Sequence, residues 1–347
     1  MNDIAHTARV RRLDLWLNDA FDRLIATDPG VSLEVLPSRG DDARTLAGLR
    51  QAHAYHVSAA KDEVPVAWQV NAALIAQCPD LVCVSSGGAG YDTVDVAACT
   101  QAGIAVVNQA GANANSVAEH TFALLLGIVK RVVEAHTRLQ RDVGFSREDV
   151  MGNEIHGRTM GLIGLGEIGT RTARIARGFG MDVLAYDPHL TDAEIRSRGA
   201  EPRTFENLIA QADVVSLHCP LDATTRGMMN ADAFAAMKRG ALFISTARGG
   251  IHDEAALLAA LQSGHLAGAG LDVWVQEPPP RDTPLLHLPN VVAAYHTGGV
   301  THEARRNVAV SSAEQILAML HGRRPPKLVN PEVWPTALAR IQALKLG

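Results

Sequence analysis

The chain has 347 residues, of which 47% are apolar and 20% are charged, which is typical of a folded globular protein with room for two domains. Its formal net charge is −5 and it carries no long basic run, which argues against a nucleic-acid partner. The longest strongly apolar stretch, residues 121–133, is too short to cross a bilayer, and the first twelve residues lack the pattern of a signal peptide. The four cysteines have neither C-x-x-C nor zinc spacing, so we expect no metal site and a cytoplasmic protein.

Short apolar runs alternate with segments of helical period in the first third of the chain. Strands are predicted at residues 13–17, 32–36, 54–59, 81–85 and 104–107, and helices at 19–26 and 72–77. This alternation is typical of a parallel sheet with crossover helices. It predicts a small doubly wound domain.

A long helix is predicted at residues 115–139, and a second alternating set follows it. Strands are predicted at 160–163, 182–186, 214–218, 241–245, 268–273 and 291–293. Six parallel strands with intervening helices make a complete dinucleotide-binding (Rossmann) architecture. A last helix, predicted at 301–321, could return to the first domain, so we expect a discontinuous first domain of residues 1–112 and 301–347 around the dinucleotide-binding domain of residues 113–300.

A glycine-rich turn joins a predicted strand to a predicted helix in the sequence TMGLIGLGEIG. Gly164 permits a tight turn, Gly166 lets the backbone approach a pyrophosphate, and Gly169 lets the helix pack close to the strand. The N–H groups at the start of the helix, at Glu167 and Ile168, would face the phosphates. A structural turn of the same sequence is the alternative, but the strand before it and the helix after it favour dinucleotide binding.

Asp187 ends the next predicted strand, 18 residues after Gly169. A carboxylate at this place accepts hydrogen bonds from both ribose hydroxyls of NAD and repels the 2′-phosphate of NADP. Pro188 and His189 follow, so no cation is at hand for that phosphate. The sequence therefore predicts NAD as the cofactor.

Three polar residues follow later strands of the same predicted sheet: Arg248 in STARGG, Glu277 in DVWVQEPP and His296 in YHTGG. The carboxyl ends of parallel strands share one edge, where ligands bind. Histidine is suited to protonate the alkoxide that forms when a ketone accepts a hydride, a carboxylate would orient that histidine, and a guanidinium would polarise a 2-oxo acid. Each residue alone could be an ordinary surface or structural side chain; the combination predicts a catalytic site.

The segments GLIGLGEIG, AYDP, LHCPL, STARGG, DVWVQEPP and YHTGG occur in this order along the chain. Together they resemble the D-isomer-specific 2-hydroxyacid dehydrogenase family, which includes glyoxylate/hydroxypyruvate reductases and D-3-phosphoglycerate dehydrogenases. The resemblance covers about residues 81–331. It implies an NAD-dependent oxidoreductase, a smaller flavodoxin-like substrate domain beside the Rossmann domain, and a homodimer formed through the cofactor domain.

The resemblance also implies roles for individual residues. Arg248 would bind and polarise the substrate, Glu277 would partner the histidine, and His296 would be the acid/base. Asp272 would hold the nicotinamide carboxamide. Further cofactor contacts are implied at Cys219, Pro220, Thr225, Ala247 and Gly298, and the substrate carboxylate would be held by the loop residues Gly88, Ala89 and Gly90, with Asn113 and Arg248 nearby.

Two departures from the family pattern bear on rigidity and substrate. Asn108 is followed by Gln109 and Ala110 rather than by Thr-Pro, so we expect a less rigid first crossing between the domains. Ser86 stands where the phosphoglycerate dehydrogenases have arginine, which argues against a phosphorylated substrate. We therefore expect hydride transfer between NAD and a small non-phosphorylated 2-hydroxy or 2-oxo acid such as glyoxylate, hydroxypyruvate or glycerate. A phosphoglycerate dehydrogenase and a non-catalytic, NAD-sensing corepressor-like protein are the alternatives.

Overall fold

A computed structural model describes residues 7–142 and 144–344. Its strands are β1 (Ala8–Leu13), β2 (Val31–Leu36), β3 (Ala54–Val57), β4 (Cys83–Ser86), β5 (Ala105–Val107), β6 (Thr159–Ile163), β7 (Asp182–Tyr186), β8 (Glu201–Pro202), β9 (Val214–Leu217), β10 (Leu242–Ser245), β11 (Gly268–Leu271) and β12 (Val291–Ala293). Its helices are α1 (Ala20–Ile25), α2 (Asp42–Arg50), α3 (Ala72–Ile75), α4 (Val96–Gln101), α5 (Ala114–Val129), α6 (Val132–Arg141), α7 (Glu167–Gly178), α8 (Asp192–Ser197), α9 (Phe205–Gln211), α10 (Ala231–Ala236), α11 (Glu254–Gln262), α12 (His302–Leu320) and α13 (Trp334–Ala343).

The chain divides into two compact units. The first comprises Met1–Asn113 and Thr301–Gly347, and the second comprises Ala114–Val300. Of the thirteen helices, none is long and apolar enough to cross a membrane, within the residues that the structure describes.

The first unit contains a five-stranded sheet in the order β2-β1-β3-β4-β5, with every neighbouring pair parallel. This order is that of the flavodoxin-like fold, as predicted. Strand β3 is buried along its whole length, because helices cover both faces of the sheet.

The second unit contains a seven-stranded parallel sheet in the order β12-β11-β10-β9-β6-β7-β8. The order reverses between β6 and β9, which is the topological switch point at which Rossmann folds bind dinucleotides. The predicted Rossmann architecture is confirmed, with one additional two-residue strand, β8, at the edge.

The strand predicted at residues 13–17 is wrong. The actual strand β1 ends at Leu13 and contains three arginines. Each is paired with a carboxylate of a neighbouring element: Arg9 with Asp80 at 3.2 Å, Arg11 with Glu34 at 3.2 Å and Arg12 with Asp22 at 2.6 Å. Because apolar runs were used to find strands, a strand whose charges are neutralised by partners distant in sequence was missed.

The helix predicted at residues 115–139 is interrupted, which corrects that prediction. Arg131 has φ 51° and ψ 34°, in the left-handed region, and separates α5 from α6. The carbonyl of Val129 accepts the N–H of Asn153 at 2.7 Å instead of an N–H one turn further along the helix. Gly152 packs so closely on this carbonyl that an added Cβ would lie 2.5 Å from it. The segment at 152–153 therefore ends α5.

Candidate active site

The polar residues predicted for the second unit all follow parallel strands of its sheet, so they lie along one edge. The glycine turn follows β6, Asp187 follows β7, Cys219 follows β9, Arg248 follows β10, Asp272 and Glu277 follow β11, and His296 follows β12. Within the described residues, no group of three His, Cys, Asp or Glu side chains is arranged to hold a metal ion.

The glycine turn has the backbone geometry that a dinucleotide requires. Gly164 has φ +92°, and an added Cβ would lie 2.8 Å from the backbone nitrogen of Cys219. A Cβ on Gly169 would lie 2.2 Å from the oxygen of Gly164, so only glycine lets α7 start this close to β6. Gly166 caps α7 without a side-chain hydrogen bond, and a Cβ there would meet no atom within 4 Å. Open space therefore lies over the N–H groups that begin at Glu167, which fits a bound pyrophosphate.

The carboxylate of Asp187 is held at the end of β7 by two backbone groups. It accepts the N–H of Leu165 at 2.9 Å through Oδ2 and the N–H of His189 at 3.0 Å through Oδ1. A carboxylate has about four acceptor positions, so one on each oxygen remains for the two ribose hydroxyls. The residues present thus fit NAD.

The segment after β9 forms a compact turn beside the glycine loop. Thr225 donates through Oγ1 to the carbonyl of Pro220 at 2.7 Å. Burial raises the pKa of the Cys219 thiol to about 11, so this cysteine stays protonated and acts as an apolar packing group. The contact of these residues with the adenosine stays a prediction.

Glu277 and His296 form a hydrogen-bonded pair. The Glu277 Oε2 lies 2.8 Å from His296 Nδ1, and its Oε1 accepts the N–H of Trp274 at 3.1 Å. Because an ionised carboxylate can only accept, the proton of the neutral ring lies on Nδ1 and leaves Nε2 as the reactive nitrogen. The imidazole is partly exposed, with 36% of the side chain accessible, so Nε2 can reach a ligand.

Asp272 organises the turn that carries His296. His296 has φ +47°, and its N–H donates to the Asp272 carbonyl at 2.6 Å. The carboxylate of Asp272, only 1% exposed, accepts the N–H groups of Thr297 at 2.8 Å and Gly298 at 2.9 Å. A left-handed, non-glycine residue fixed in this way is a feature of functional sites. The contact of Asp272 with the nicotinamide carboxamide remains a prediction.

Two residues of α5 that the sequence analysis did not single out also reach this turn. Ser116 donates through Oγ to the carbonyl of Gly298 at 2.6 Å. His120 Nε2 lies 3.3 Å from Asp272 Oδ1, but the two groups are not oriented to form a hydrogen bond. Ser116 and His120 are four residues apart and therefore lie on one face of α5, which was the signal that could have identified them.

Arg248 lies half-buried after β10, with Nη1 donating to the carbonyl of Ala247 at 2.7 Å. The next residue, Gly249, touches the backbone of the loop that carries Glu277. An added Cβ on Gly249 would lie 1.9 Å from the Trp274 oxygen. Trp274 itself is 3% exposed and donates through Nε1 to Ala294, so its ring belongs to the core of the second unit.

The loop at residues 88–90 in the first unit exposes backbone donors. Its three carbonyls are all occupied: Gly88 accepts from Gln109 N at 2.8 Å, Ala89 from Asn108 Nδ2 at 2.8 Å, and Gly90 from Ser86 Oγ at 2.7 Å. Within the described residues, the three N–H groups of the loop donate to no acceptor. Successive unpaired amides of this kind favour an anion.

The segment at Asn108 and Gln109, where we expected low rigidity because Thr-Pro is absent, is fixed by hydrogen bonds to α12. Gln109 is fully buried, and its side-chain oxygen accepts from Ser311 at 2.7 Å and from Gln315 at 2.8 Å. Five residues further on, the Oδ1 of Asn113 is buried without a hydrogen-bond partner in the part of the chain that the structure describes, which leaves an acceptor for a ligand.

Residues 122–298 match the profile of the D-isomer specific 2-hydroxyacid dehydrogenase, NAD binding domain. The chain is 40% identical over 267 residues to a glyoxylate reductase of Korarchaeum cryptofilum, covering 76% of this chain and 80% of that protein. It is 38% identical over 277 residues to a D-3-phosphoglycerate dehydrogenase of Bacillus subtilis, covering 80% of this chain and 52% of that protein. The structure of a glyoxylate reductase from Paecilomyes thermophila superposes with a TM-score of 0.82 at 28% identity, covering 94% of this chain and 99% of that chain.

The chain thus spans about half the length of the phosphoglycerate dehydrogenase and most of the length of the glyoxylate reductase that it matches. The matched profile contains the glycine turn, Asp187 and the Glu277–His296 pair. The second unit is accordingly an NAD-binding domain, and the chain belongs to the D-isomer specific 2-hydroxyacid dehydrogenase family.

Proposed function

We propose that this protein catalyses reversible hydride transfer between NAD and C2 of a small, non-phosphorylated 2-hydroxy or 2-oxo acid. The observation that carries the proposal is the 2.8 Å pair of Glu277 and His296 on the sheet edge of an NAD-binding domain. The cofactor, when bound, supplies or accepts the hydride. A proton must move in the same direction as the hydride, and we propose that His296 carries it.

In the direction of reduction, protonated His296 Nε2 gives a proton to the oxygen on C2 of the substrate. Glu277 stabilises the imidazolium and fixes the orientation of the ring through its contact with Nδ1. Asp272 holds the backbone on which His296 sits. We propose that the Arg248 guanidinium polarises the reacting carbonyl and binds the substrate carboxylate.

In the first unit, we propose that the N–H groups of Gly88, Ala89 and Gly90 bind the substrate carboxylate. Their support is the combination of three occupied carbonyls and three unpaired amides. Asn113 is proposed as a further substrate contact because its Oδ1 is buried without a partner among the described residues. The Ser86 hydroxyl donates to the Gly90 carbonyl. Residues 86–90 include no lysine or arginine, so this loop offers no cation for a phosphate.

The test is oxidation of NADH with a panel of glyoxylate, hydroxypyruvate, pyruvate, 3-phosphohydroxypyruvate and bulkier 2-oxo acids. We expect turnover on at least one short non-phosphorylated acid, and kcat/KM with NADH about 10-fold or more above that with NADPH, because Asp187 repels a 2′-phosphate. Preference for 3-phosphohydroxypyruvate would instead indicate a phosphoglycerate dehydrogenase. Tight NADH binding without turnover of any acid would refute the enzyme and favour an NAD-sensing binding protein.

We also propose that the protein forms a homodimer through the cofactor domain, using α6. The residues of α5 largely pack inside their own unit, whereas none of the residues of α6 is buried. Val132, Val133 and Leu139 are 57%, 54% and 74% exposed, beside a groove of about 760 Å³ formed with the segment at 288–292. An exposed apolar face of this kind favours a protein partner, and the family resemblance implies that the partner is a second copy.

Leu139→Glu is expected to shift the protein from dimer to monomer in sedimentation velocity, because it places a charge in the apolar contact. Val66→Glu is the matched control, since Val66 is 75% exposed on the first unit and lies outside the proposed interface. A wild-type protein that sediments as a monomer at micromolar concentration would contradict the proposal. So would a Leu139→Glu variant that remains as dimeric as Val66→Glu.

A further inference from the structure

A wide recess lined by arginines lies on the surface of the second unit, bounded by α7, the end of α8 and the start of α5. It has a volume of about 820 Å³, and four of its nine lining residues are Arg171, Arg174, Arg177 and Arg198. The other five are an asparagine, a threonine, a serine and two glycines. The described lining therefore includes no carboxylate, no aromatic ring and no aliphatic residue.

Three of the arginines form a row along α7. They recur at every third position in the sequence RTARIAR, and residues three apart are neighbours on a helix surface. Arg171 is engaged, because it pairs with Glu167 at 2.7 Å and donates through Nε to Asn115 Oδ1 at 2.8 Å. Arg174 and Arg177 are exposed, and among the described residues neither has a hydrogen-bond or ion-pair partner.

The chain also holds two guanidinium groups at the end of α8. Gly199 has φ +89°, and an added Cβ would lie 3.1 Å from Arg177 Nη1, so the glycine leaves room for this side chain. Arg198 donates through Nη1 to the carbonyl of Leu165 at 2.7 Å, which orients its guanidinium. Side chains positioned in this way lose less conformational entropy when a ligand binds.

The positive charges of this row are not offset as arginines are elsewhere in the chain. In strand β1, each of the three arginines is paired with a carboxylate. On α7, Glu167 is the one acidic residue, and it pairs with Arg171 alone. Like charges on adjacent turns of a helix destabilise it, and a bound anion would remove this repulsion. The planar guanidinium fork matches the paired oxygens of a phosphate group.

We propose that this recess binds a compact polyanion with two or more phosphate groups, either a free polyphosphate or the phosphate chain of a nucleotide. The row from Arg171 to Arg177 rises about 9 Å along the helix, so a single phosphate does not reach both ends. No aromatic residue lines the recess, so recognition is by charge and not by stacking of a base. The lining includes none of the residues assigned to NAD, so both ligands would bind together. The inference does not rest on the proposed reaction.

The test is calorimetric titration of tripolyphosphate into the full-length protein saturated with NADH, which occupies the dinucleotide turn. We expect one site per chain, with a Kd for tripolyphosphate at least about 10-fold below that for orthophosphate, because more charged hydrogen bonds form. ATP should bind within about threefold of tripolyphosphate, since no base is stacked. The absence of saturable binding up to about 1 mM would overturn the proposal. So would tighter binding of a polyglutamate peptide, which would assign the recess to an acidic protein segment.

Arg174→Gln and Arg177→Gln are each expected to raise the Kd of tripolyphosphate about 10-fold, because each removes a charged donor. Both side chains are exposed and glutamine favours a helix, so the fold should be kept. Arg239→Gln is the matched control, an exposed arginine of the same unit outside the recess, and its Kd should stay within about twofold of wild type.

Two results with these variants would contradict the site. If both Arg174→Gln and Arg177→Gln kept the wild-type Kd, tripolyphosphate would be binding elsewhere on the protein. If either variant changed from dimer to monomer in sedimentation velocity while Arg239→Gln did not, the recess would be the seat of a second copy of the chain and not of a phosphate ligand.

Discussion

Replacing His296 with asparagine is expected to lower kcat by about 10²- to 10⁴-fold, which is the usual contribution of a positioned acid/base. Asparagine tolerates the left-handed backbone of this position, where φ is +47°. The turn held by Asp272 should therefore keep its shape, and the loss can be attributed to the imidazole. Stopped-flow or steady-state oxidation of NADH with the best acid of the panel measures it.

The control for this variant is NADH affinity. The glycine turn and Asp187 are independent of the His296 side chain, so the Kd of NADH measured by fluorescence titration should stay within about twofold of wild type. Glu277→Gln is a graded companion, because glutamine can still contact Nδ1 but does not stabilise the imidazolium, and its loss of kcat should be smaller than that of His296→Asn. Near-normal turnover of His296→Asn would remove His296 from the role of acid/base.

The parts of the site that could be predicted from the sequence are those fixed by local chemistry. A strand, three spaced glycines and a helix specify the dinucleotide turn within eleven residues, and the carboxyl end of the next strand specifies Asp187. Arg248, Glu277 and His296 were identified because each follows a strand of the same sheet, and parallel strands bring their carboxyl ends to one edge. The order of strands and helices along the chain was sufficient to predict that these three residues share one edge of the sheet.

The parts that were missed depend on contacts between residues far apart in sequence. The break at Arg131 results from the approach of Gly152 and Asn153 to Val129, which no window around residue 131 contains. Strand β1 was not predicted because it carries three arginines, and the carboxylates that neutralise them, Asp22, Glu34 and Asp80, are distant in sequence.

Gly249→Ala is expected to lower kcat/KM by about 10²-fold or more and to destabilise the second unit. The added Cβ would lie 1.9 Å from the Trp274 oxygen, 2.1 Å from its carbonyl carbon and 2.6 Å from Val275 N. These are backbone atoms, so no side-chain rotation can relieve the overlap, and the loop after β11 must move by an ångström or more. A displacement of this size in a catalytic group costs about 10²-fold in rate.

The loop that would move is the one that positions Glu277. Trp274 N donates to Glu277 Oε1, and Glu277 Oε2 holds His296, so a shift of Trp274 passes through two hydrogen bonds to the acid/base. Arg248, next to Gly249, would be displaced at the same time. Gly178→Ala is the matched control, because a Cβ there meets no atom within 4 Å and alanine favours the helix that Gly178 ends. Its Tm and kcat/KM should equal or exceed the wild-type values. If Gly249→Ala retained wild-type turnover and Tm, the contact of Gly249 with Trp274 could not be what holds Glu277 against His296.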